Sequence, residues 1–397
     1  MSTNRNPTTS QLYKFMNIAI IRTYGNVIDV NSYNCQEIGL AKSLTNLGHH
    51  VTVILAGKKS THSQIISSNG SVVDIYNIRY VGSGNLSIFI GWKKIISKIN
   101  PDVIQIHDIE NIMNLRISKY AHSKTIPCVI ICGVYYPSSN ILVRLFKKAY
   151  NILFDRYTLK YVDNIGCKTE SAAKYINNIR KCNAHITHIG LDVSKFDNAE
   201  NIDWKARFNL SDSDKILLYV GRLNNKGRNP LFLLDLIKKL PTNYHLVYSG
   251  EGVLYDTIIH SAKLSGISNR VHLTGVLSQS QLPTLFECAH LFLLPSIFEI
   301  YGMVILESMY FGLPVVSTAS AGAMTIIKDK ENGYIIDSFD IDKWVQTIIS
   351  TENIDISTIK SSASEHIRNY FTWDKTVNSF IALYQKAILV HENTSDK

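Results

Sequence analysis

Short apolar runs alternate with longer segments of helical spacing along most of the chain. Each short run is closed by Gly, Pro or a small polar residue, which predicts a buried strand, and the segments between the runs predict helices. Because strands that alternate with helices usually pair in parallel, the pattern predicts an α/β fold built on doubly wound parallel sheets. In chain order, the predicted strands are residues 17–21, 51–55, 72–75, 103–106, 128–132, 164–167, 186–189, 216–220, 245–248, 271–274, 291–294, 315–317 and 334–336.

The alternation stops once, at residues 190–201, and then restarts. This stretch is the predicted linker, and a chain of 397 residues is long enough for two cores. We therefore predict one domain over residues 16–192 and a second over residues 193–372. The polar residues 1–15 lack an apolar signal-peptide core and predict a disordered leader.

The stretch 291–314 carries the most informative chemistry. The run 291–294 predicts a strand, a loop follows, and residues 303–311 have a helical spacing that Gly312 and Pro314 end. The loop therefore lies at the carboxyl end of a strand, where open α/β sheets bind ligands. Backbone amides at the start of the following helix would be unpaired and would stabilise an anion such as a diphosphate.

Two carboxylates, Glu299 in the loop and Glu307 in the helix, frame that helix start. Carboxylates repel an anion, so we expect them to accept hydrogen bonds from paired hydroxyls, such as those of a sugar and a ribose. The simpler interpretation is that both are exposed surface charges. The apolar neighbours of Glu307, among them Ile305 and Met309, argue against it because an unpaired buried carboxylate is costly.

A histidine, His107, follows the apolar run 103–106. We expect it at the carboxyl end of a strand in the first domain, which favours a role at a ligand site. The alternative is a loop histidine, or one that caps the next helix together with Asp108. Position alone leaves both interpretations open.

Basic residues follow the first predicted strand of the second domain, in the sequence GRLNNKGRN over residues 221–229. Arg222 and Lys226 lie where a diphosphate would be, and cations at a strand end could neutralise a leaving group as its charge develops. Arg228 competes with Lys226 for the second position, and Lys226 is favoured because Gly227 follows it. The alternative is a solvated basic turn.

Together, these motifs resemble those of the family 4 retaining glycosyltransferases, also described as glycosyl transferases group 1, which have the GT-B fold. The resemblance rests on Glu299 and Glu307 as an E-x7-E signature, and on Gly-Arg-Leu followed by Lys-Gly within residues 221–227. It implies two Rossmann-like domains that face each other across a cleft. It also implies that a last helix, at residues 373–391, packs back on the first domain.

The resemblance further implies roles for individual residues. In this family the first glutamate contacts the donor sugar, the second contacts the nucleotide ribose, and a histidine contacts the transferred sugar. The predicted catalytic residues are accordingly His107 and Glu299. The predicted donor-binding residues are Arg222, Lys226, Glu299, Ile300, Tyr301, Gly302, Met303 and Glu307.

The loop at residues 23–33 departs from the family pattern. Many members have a Gly-Gly pair there that approaches the donor phosphates, whereas this chain has Gly25 alone. Asn34, Gln36 and Glu37 are therefore candidates for contacts with the acceptor.

Composition changes this picture little. The net charge of +9 is compatible with anionic substrates, lipid or nucleic acid. Six cysteines without a CxxC pair indicate reduced thiols in a cytoplasmic protein. No run is long and apolar enough to predict a membrane span. The basic, aromatic segment 144–161 could lie on an anionic bilayer, although packing against a core is the simpler interpretation.

Metal ligands are not expected, because no Asp-x-Asp pair stands at the carboxyl end of a predicted strand. We therefore predict no cofactor and no divalent metal, with Arg222 and Lys226 in the place of one.

The predicted activity is transfer of a hexose-type sugar, with retention, from a nucleotide-diphosphate donor to an alcohol, such as a sugar or a lipid-linked sugar. Cell-surface polysaccharide or glycolipid synthesis is the expected setting, with peripheral attachment to the inner face of the membrane left open. The alternative is a nucleotide-sugar epimerase of similar fold, which would need no acceptor site. A nucleic-acid binder is disfavoured because the chain lacks an aromatic RNA-stacking motif and a basic recognition helix.

Overall fold

The computed structural model describes residues 15–28, 35–67, 69–133, 141–225 and 227–395. The predictions made for Asn34, for Lys226 and for most of the leader fall outside these residues. The described chain forms two compact units. Residues 15–28, 35–190 and 376–395 belong to the first unit, and residues 191–375 belong to the second.

The described part of the first unit contains a nine-stranded sheet. Its strands are β1 (Asn17–Ile21), β2 (His50–Gly57), β3 (Thr61–Ile66), β4 (Val72–Val81), β5 (Ile88–Phe89), β6 (Val103–His107), β7 (Cys128–Cys132), β8 (Asn164–Cys167) and β9 (His185–Ile186). Their order in space is β3-β4-β2-β1-β6-β7-β8-β9, and β5 pairs with β4. The prediction of a doubly wound parallel sheet is confirmed, except that β3 and β5 run antiparallel to β4.

The helices of this unit follow the predicted alternation. They are α1 (Gln36–Asn46), α2 (Trp92–Ile99), α3 (Ile112–Ser123), α4 (Ile141–Tyr150), α5 (Arg156–Lys160) and α6 (Glu170–Ile179). The helical spacing of residues 141–161 predicts one long helix, but the structure divides it into α4 and α5 by a π-helical turn, Asn151–Asp155. The sequence pattern missed β3 because this edge strand is polar and almost entirely exposed, so it has no apolar face to reveal it.

The direction of winding changes at β1. This strand pairs with β2 on one side and with β6 on the other, both in parallel. In an open α/β sheet, the loops that follow the two strands at such a switch point flank the ligand crevice. Here those loops begin at Arg22 and directly after His107.

The second unit contains a six-stranded sheet in which every pairing is parallel. Its strands are β10 (Lys215–Val220), β11 (Tyr244–Ser249), β12 (Val271–Gly275), β13 (Leu291–Leu294), β14 (Val315–Thr318) and β15 (Gly333–Ile336). Their order is β12-β11-β10-β13-β14-β15, so the winding changes direction between β10 and β13. The loop that follows β10 carries Arg222 and Arg228, and the loop that follows β13 carries Glu299, so this switch point places the two loops side by side.

Helices alternate with these strands as predicted. They are α7 (Trp204–Arg207), α8 (Phe232–Lys239), α9 (Tyr255–Leu264), α10 (Leu282–Cys288), α11 (Met303–Tyr310), α12 (Ala321–Ile326), α13 (Ile341–Ser350), α14 (Ile356–Tyr370) and α15 (Trp373–Ser395). Helix α15 begins in the second unit and continues in the first. Among the described helices, none combines the length and the apolar character that crossing a bilayer requires.

The Gly-x-Gly turn after β11 packs against the loop after β10. A Cβ atom on Gly250 would lie 2.0 Å from the carbonyl oxygen of Gly221, and one on Gly252 would lie 2.2 Å from that of Leu223. The amide of Leu223 donates to the carbonyl of Glu251 at 2.9 Å. These glycines are therefore needed for close contact between two loops of the protein, which holds the loop of Arg222 in place.

Candidate functional site

The loop between β13 and α11 turns on Gly302. Its φ of 85° lies in the left-handed region, and a Cβ atom there would come within 2.7 Å of the side chain of Ile305. The amide of Ile305 donates to the carbonyl of Gly302 at 2.8 Å, which starts the helix, but no side chain caps it. The first turn of α11 therefore presents backbone donors and the positive end of its dipole.

Glu299 is fixed in this loop through its backbone and its side chain. Its carbonyl accepts from the amide of Gly322, in the first turn of α12, at 3.2 Å. Gly322 has no room for a side chain, because a Cβ atom would lie 2.2 Å from the carbonyl oxygen of Tyr301. The carboxylate of Glu299 forms an ion pair with Arg228 and is 8% exposed.

Arg228 lies beside Glu299 and forms its ion pair. Lys226, which the sequence favoured over Arg228 as the second cation at the diphosphate, lies outside the described residues, so that choice stays a prediction. Arg222 is exposed, and its backbone carbonyl accepts from the hydroxyl of Tyr219 at 3.0 Å. The structure thus brings the loops after β10 and β13 together through Arg228 and leaves the guanidinium of Arg222 at the surface.

Glu307 is buried in α11, and no described residue provides a charge that compensates its carboxylate. It is 6% exposed, and burial raises the pKa of its carboxyl group to about 8. The described part of the chain forms no hydrogen bond or ion pair with this carboxyl group, and its helix neighbours Ile305, Leu306 and Met309 are buried apolar residues. In the free protein at neutral pH it is therefore mostly protonated, and a ligand that donates hydrogen bonds would favour the carboxylate.

In the first unit, His107 is the last residue of β6 rather than the first residue of a loop. Its Nε2 atom lies 2.9 Å from Nε2 of Gln105, and its Nδ1 atom lies 3.9 Å from Oε1 of Glu37. Burial lowers the pKa of His107 to about 4, so the imidazole is neutral at physiological pH. The strand continues to His107 because this residue pairs with Ile131 of β7.

Polar contacts hold the turn that follows His107. Asn114 donates to the carbonyl of His107 at 2.8 Å and accepts from the hydroxyl of Thr23 at 2.8 Å. Asp108 has a φ of 57° and accepts from the amide of Gly133 at 2.8 Å. These contacts fix the backbone directly after the His107 side chain.

The alternative in which His107 and Asp108 cap the next helix is wrong. Helix α3 begins at Ile112, and the side chain of Asn111 accepts from the amide of Met113 at 3.0 Å. Asn111 is therefore the capping residue.

Glu37, a candidate from the sequence, lies fully buried in the first turn of α1. Burial alone would raise the pKa of its carboxyl group, but His107, Arg22 and Lys168 together outweigh burial and hold that pKa below its ordinary value. Nε of Arg22 lies 3.6 Å from Oε1, and the thiol of Cys35 donates to Oε2 at 3.2 Å. Glu37 is therefore ionised, and neighbouring groups of the protein compensate its negative charge.

Several residues around His107 were not identified from the sequence. Arg22 and Lys168 directly follow β1 and β8, so the strand-end rule that selected His107 could have selected them. Gln105 and Tyr384 lie inside a strand and a helix that read as ordinary core elements, and no sequence signal marks them.

The fold and these sites define a class of protein. Two doubly wound sheets, each with polar and charged side chains gathered at its switch point, are the architecture of GT-B glycosyltransferases. Two sequence profiles agree with this. "Glycosyl transferases group 1" matches residues 200–368, and "Glycosyl transferase 4-like" matches residues 26–164. The chain belongs to this glycosyltransferase family, which confirms the resemblance described above.

Curated relatives carry glycosyltransferase names. The chain is 30% identical over 233 residues to a D-inositol 3-phosphate glycosyltransferase of Mycolicibacterium smegmatis, which covers 57% of this chain and 53% of the relative. It thus spans about half the length of that relative. It is 25% identical over 385 residues to an uncharacterized glycosyltransferase of Methanocaldococcus jannaschii, covering 88% of this chain and 93% of the relative.

Solved structures share the fold. Sucrose-phosphate synthase from Thermosynechococcus elongatus superposes with a TM-score of 0.74 at 17% identity, covering 94% of this chain and 99% of that one. HepE of Anabaena in complex with UDP superposes with a TM-score of 0.70 at 15% identity, covering 96% of this chain and 100% of that one. At these identities the likeness establishes the fold.

Glu307→Gln should change how stability depends on pH. The pKa of Glu307 in the folded protein, about 8, lies above the value of 4.5 for an exposed carboxyl group. Protonation of Glu307 therefore stabilises the folded state fully below about pH 4.5, and this stabilisation is lost as the pH rises through about 8. We expect the melting temperatures of wild type and Glu307→Gln to agree at pH 4. At pH 8.5 the variant should melt higher by several degrees, since a few kcal/mol of ionisation cost is removed.

The matched control is Glu299→Gln, which removes the ion pair with Arg228 and should not gain stability as the pH rises. Thermal melts at both pH values provide the comparison. Equal melting temperatures of wild type and Glu307→Gln at pH 8.5 would show that Glu307 is not an uncompensated buried acid.

Proposed function

We propose that the protein is a retaining glycosyltransferase that moves a hexose-type sugar from a nucleoside-diphosphate donor to an alcohol. The observation that carries this proposal is Glu307, a buried carboxyl group without a partner in the described chain, next to the uncapped first turn of α11. A ribose offers two neighbouring hydroxyls to such a group, and a diphosphate suits the helix start. One nucleotide therefore satisfies both features.

The donor contacts follow from the loop that Gly302 turns. Backbone groups of Ile300, Tyr301, Gly302 and Met303 would surround the diphosphate, with Arg222 as an exposed cation on the neighbouring loop. Glu299 would accept hydrogen bonds from hydroxyls of the sugar. Its ion pair with Arg228 supports this role, because the guanidinium holds the side chain of Glu299 in place beside the loop that Gly302 turns.

For the chemical step we propose front-face attack, with the leaving phosphate as the base. His107 is neutral and buried at the end of β6, so it can donate a hydrogen bond to the sugar without bringing a charge. Within the described residues, no group of three His, Cys, Asp or Glu side chains is arranged to hold a metal ion. We propose that two cations of the protein, Arg222 and Lys226, stabilise the leaving diphosphate.

For the nucleotide we propose uridine diphosphate as the first candidate, because HepE structures of the same fold contain UDP and UDP-glucose. A starch synthase of this fold is bound to ADP, which makes adenosine the second candidate. Neighbours named for lipopolysaccharide synthesis support an acceptor of the cell surface. The epimerase alternative has less support, since the chain belongs to a transferase family.

A donor panel tests the proposal. We expect the purified protein, incubated with UDP-glucose, ADP-glucose or GDP-mannose and a mixture of sugar acceptors, to release free nucleoside diphosphate and to form an α-linked product from an α-linked donor. Glu307→Gln should lose donor binding by about tenfold or more, because a charged hydrogen-bond acceptor for the ribose is gone. Calorimetry measures the binding, and proton NMR of the product reports its anomeric configuration.

The matched control is Glu331→Gln, which changes an exposed carboxylate of the same unit and should bind the donor as wild type does. A product of inverted configuration would contradict retention. Conversion of the donor sugar to its epimer without nucleotide release would establish the alternative activity instead.

The two competing cations can be separated with two ligands. We propose that Lys226 binds the diphosphate, whereas Arg228 positions Glu299 through the ion pair between them. Lys226→Gln should therefore weaken the binding of both UDP and UDP-glucose by about tenfold. Arg228→Gln should weaken the binding of UDP-glucose more than the binding of UDP. If Arg228→Gln weakens the binding of UDP as much as Lys226→Gln does, Arg228 itself binds the phosphates.

Peripheral attachment to an anionic membrane is proposed for the α4–α5 segment. Leu145 and Leu153 are 58% and 59% exposed there, and Arg156 and Lys160 are exposed nearby. Exposed apolar and cationic side chains on one segment suit a phosphatidylglycerol surface.

Vesicle sedimentation tests this attachment. We expect binding to phosphatidylglycerol vesicles and little to phosphatidylcholine, with a loss of severalfold for Leu145→Asp combined with Leu153→Asp. Leu264→Asp, at a 75% exposed position on α9, is the control and should leave binding unchanged. Equal binding of the double variant and wild type would exclude this segment as the contact.

A further inference from the structure

A chain of buried polar side chains connects helix α15 to His107. The hydroxyl of Tyr384 donates to Oε1 of Gln105 at 2.5 Å, and Nε2 of Gln105 lies 2.9 Å from Nε2 of His107. Tyr384 and Gln105 are 0% exposed and His107 is 7% exposed, so water does not compete for these contacts. All three residues belong to the first unit.

The direction of these hydrogen bonds follows from their chemistry. Burial raises the pKa of Tyr384 well above its ordinary value, so its hydroxyl keeps its proton and can donate. If Oε1 of Gln105 accepts this hydrogen bond, the amide nitrogen of Gln105 must donate to Nε2 of His107. A neutral imidazole whose Nε2 accepts carries its proton on Nδ1.

The other side of the imidazole favours the same arrangement. Nδ1 of His107 lies 3.9 Å from Oε1 of Glu37, whose carboxylate is ionised. With the amide of Gln105 reversed, the proton would move to Nε2, and the lone pair of Nδ1 would face that negative charge. The charge of Glu37 on one side and the amide of Gln105 on the other therefore favour the same Nδ1–H form.

We propose that Tyr384 and Gln105 are positioning residues that fix His107 as the Nδ1–H tautomer, with this N–H directed toward Glu37 and available to a hydroxyl of the substrate sugar. The catalytic consequence rests on the proposed glycosyl transfer. Nδ1 of His107 is buried and has no hydrogen-bond partner within the described chain. A hydroxyl could accept from Nδ1–H and donate to Glu37, which would satisfy both groups.

The charges around His107 keep it neutral while the tautomer is selected. Burial is the main cause, Lys168 and Arg22 disfavour protonation, and Glu37 and Asp108 favour it. Because the imidazole is neutral, its two nitrogens differ in role, and a choice of tautomer decides whether a donor or an acceptor faces Glu37.

Nitrogen-15 NMR of the full-length protein, labelled in its histidine rings, tests the proposal without any substrate. The His107 signals are assigned by their loss in His107→Gln. In wild type we expect a protonated, pyrrole-type signal for Nδ1 and a pyridine-type signal for Nε2. In Tyr384→Phe the two signals should move toward intermediate values, because the amide of Gln105 is then free to reverse.

Gln105→Glu is the sharper variant. A carboxylate at this position accepts from both neighbours, so Nε2 of His107 must become protonated and its signal must change to the pyrrole type. Wild type with a pyrrole-type Nε2 would overturn the proposal. Retention of the wild-type pattern in both Gln105→Glu and Tyr384→Phe would overturn it as well.

Tyr244→Phe is the matched control. Tyr244 is a 0% exposed tyrosine of the second unit, and its hydroxyl donates to the carboxylate of Glu352. Its loss should lower the melting temperature about as much as Tyr384→Phe does, with no change in the His107 signals. This comparison separates the choice of tautomer from a general loss of stability.

Kinetics connect the tautomer to catalysis. With an active donor and acceptor, Tyr384→Phe should lower kcat by about tenfold with little change in the KM for the donor, whereas Tyr244→Phe should leave both close to wild type. An unchanged kcat in Tyr384→Phe, together with a changed tautomer, would overturn the catalytic part. A wild type with no transfer activity would contradict the proposed function, while the NMR result would still decide the tautomer.

Discussion

The cost of burying a carboxyl group governs both candidate sites. Glu37 and Glu307 are each less than one-tenth exposed, but the pKa values of their carboxyl groups shift in opposite directions. Arg22 and Lys168 compensate the charge of Glu37, whose pKa is lowered against the effect of burial. Among the residues that the structure describes, Glu307 has no such compensation, and burial raises its pKa to about 8. The first group is a permanent negative charge within the fold, and the second is a group whose charge depends on a ligand.

Both sites use the same feature of parallel sheets. The winding of each sheet changes direction once near its middle, between β1 and β6 in the first unit and between β10 and β13 in the second. Loops that leave these strands at their carboxyl ends diverge, which opens a place for side chains that a packed core would exclude. His107 and Arg22 occupy one switch point, and Glu299 and Arg228 occupy the other.

Local sequence signals predicted the parts of this arrangement that depend on neighbours in the chain. Apolar runs predicted most strands of both sheets, and a strand end followed by a glycine and a helix predicted the turn at Gly302. The contact between Arg228 and Glu299 joins residues 71 positions apart, and that between Tyr384 and Gln105 joins residues 279 positions apart. Periodicity carries no information about such pairs. The exposed strand β3 was missed for a different reason, since it lacks a buried face. The roles of the site residues in catalysis and donor binding stay predictions.

The most direct test of the central claim is the number of protons released when UDP-glucose binds at pH 7, measured by calorimetry in buffers of different ionisation enthalpy. UDP-glucose itself does not titrate near this pH. If ribose hydroxyls turn Glu307 into a carboxylate, wild type should release close to one proton per donor bound, because a group with a pKa of about 8 is mostly protonated beforehand. Binding of UDP-glucose by wild type without proton release would contradict the account.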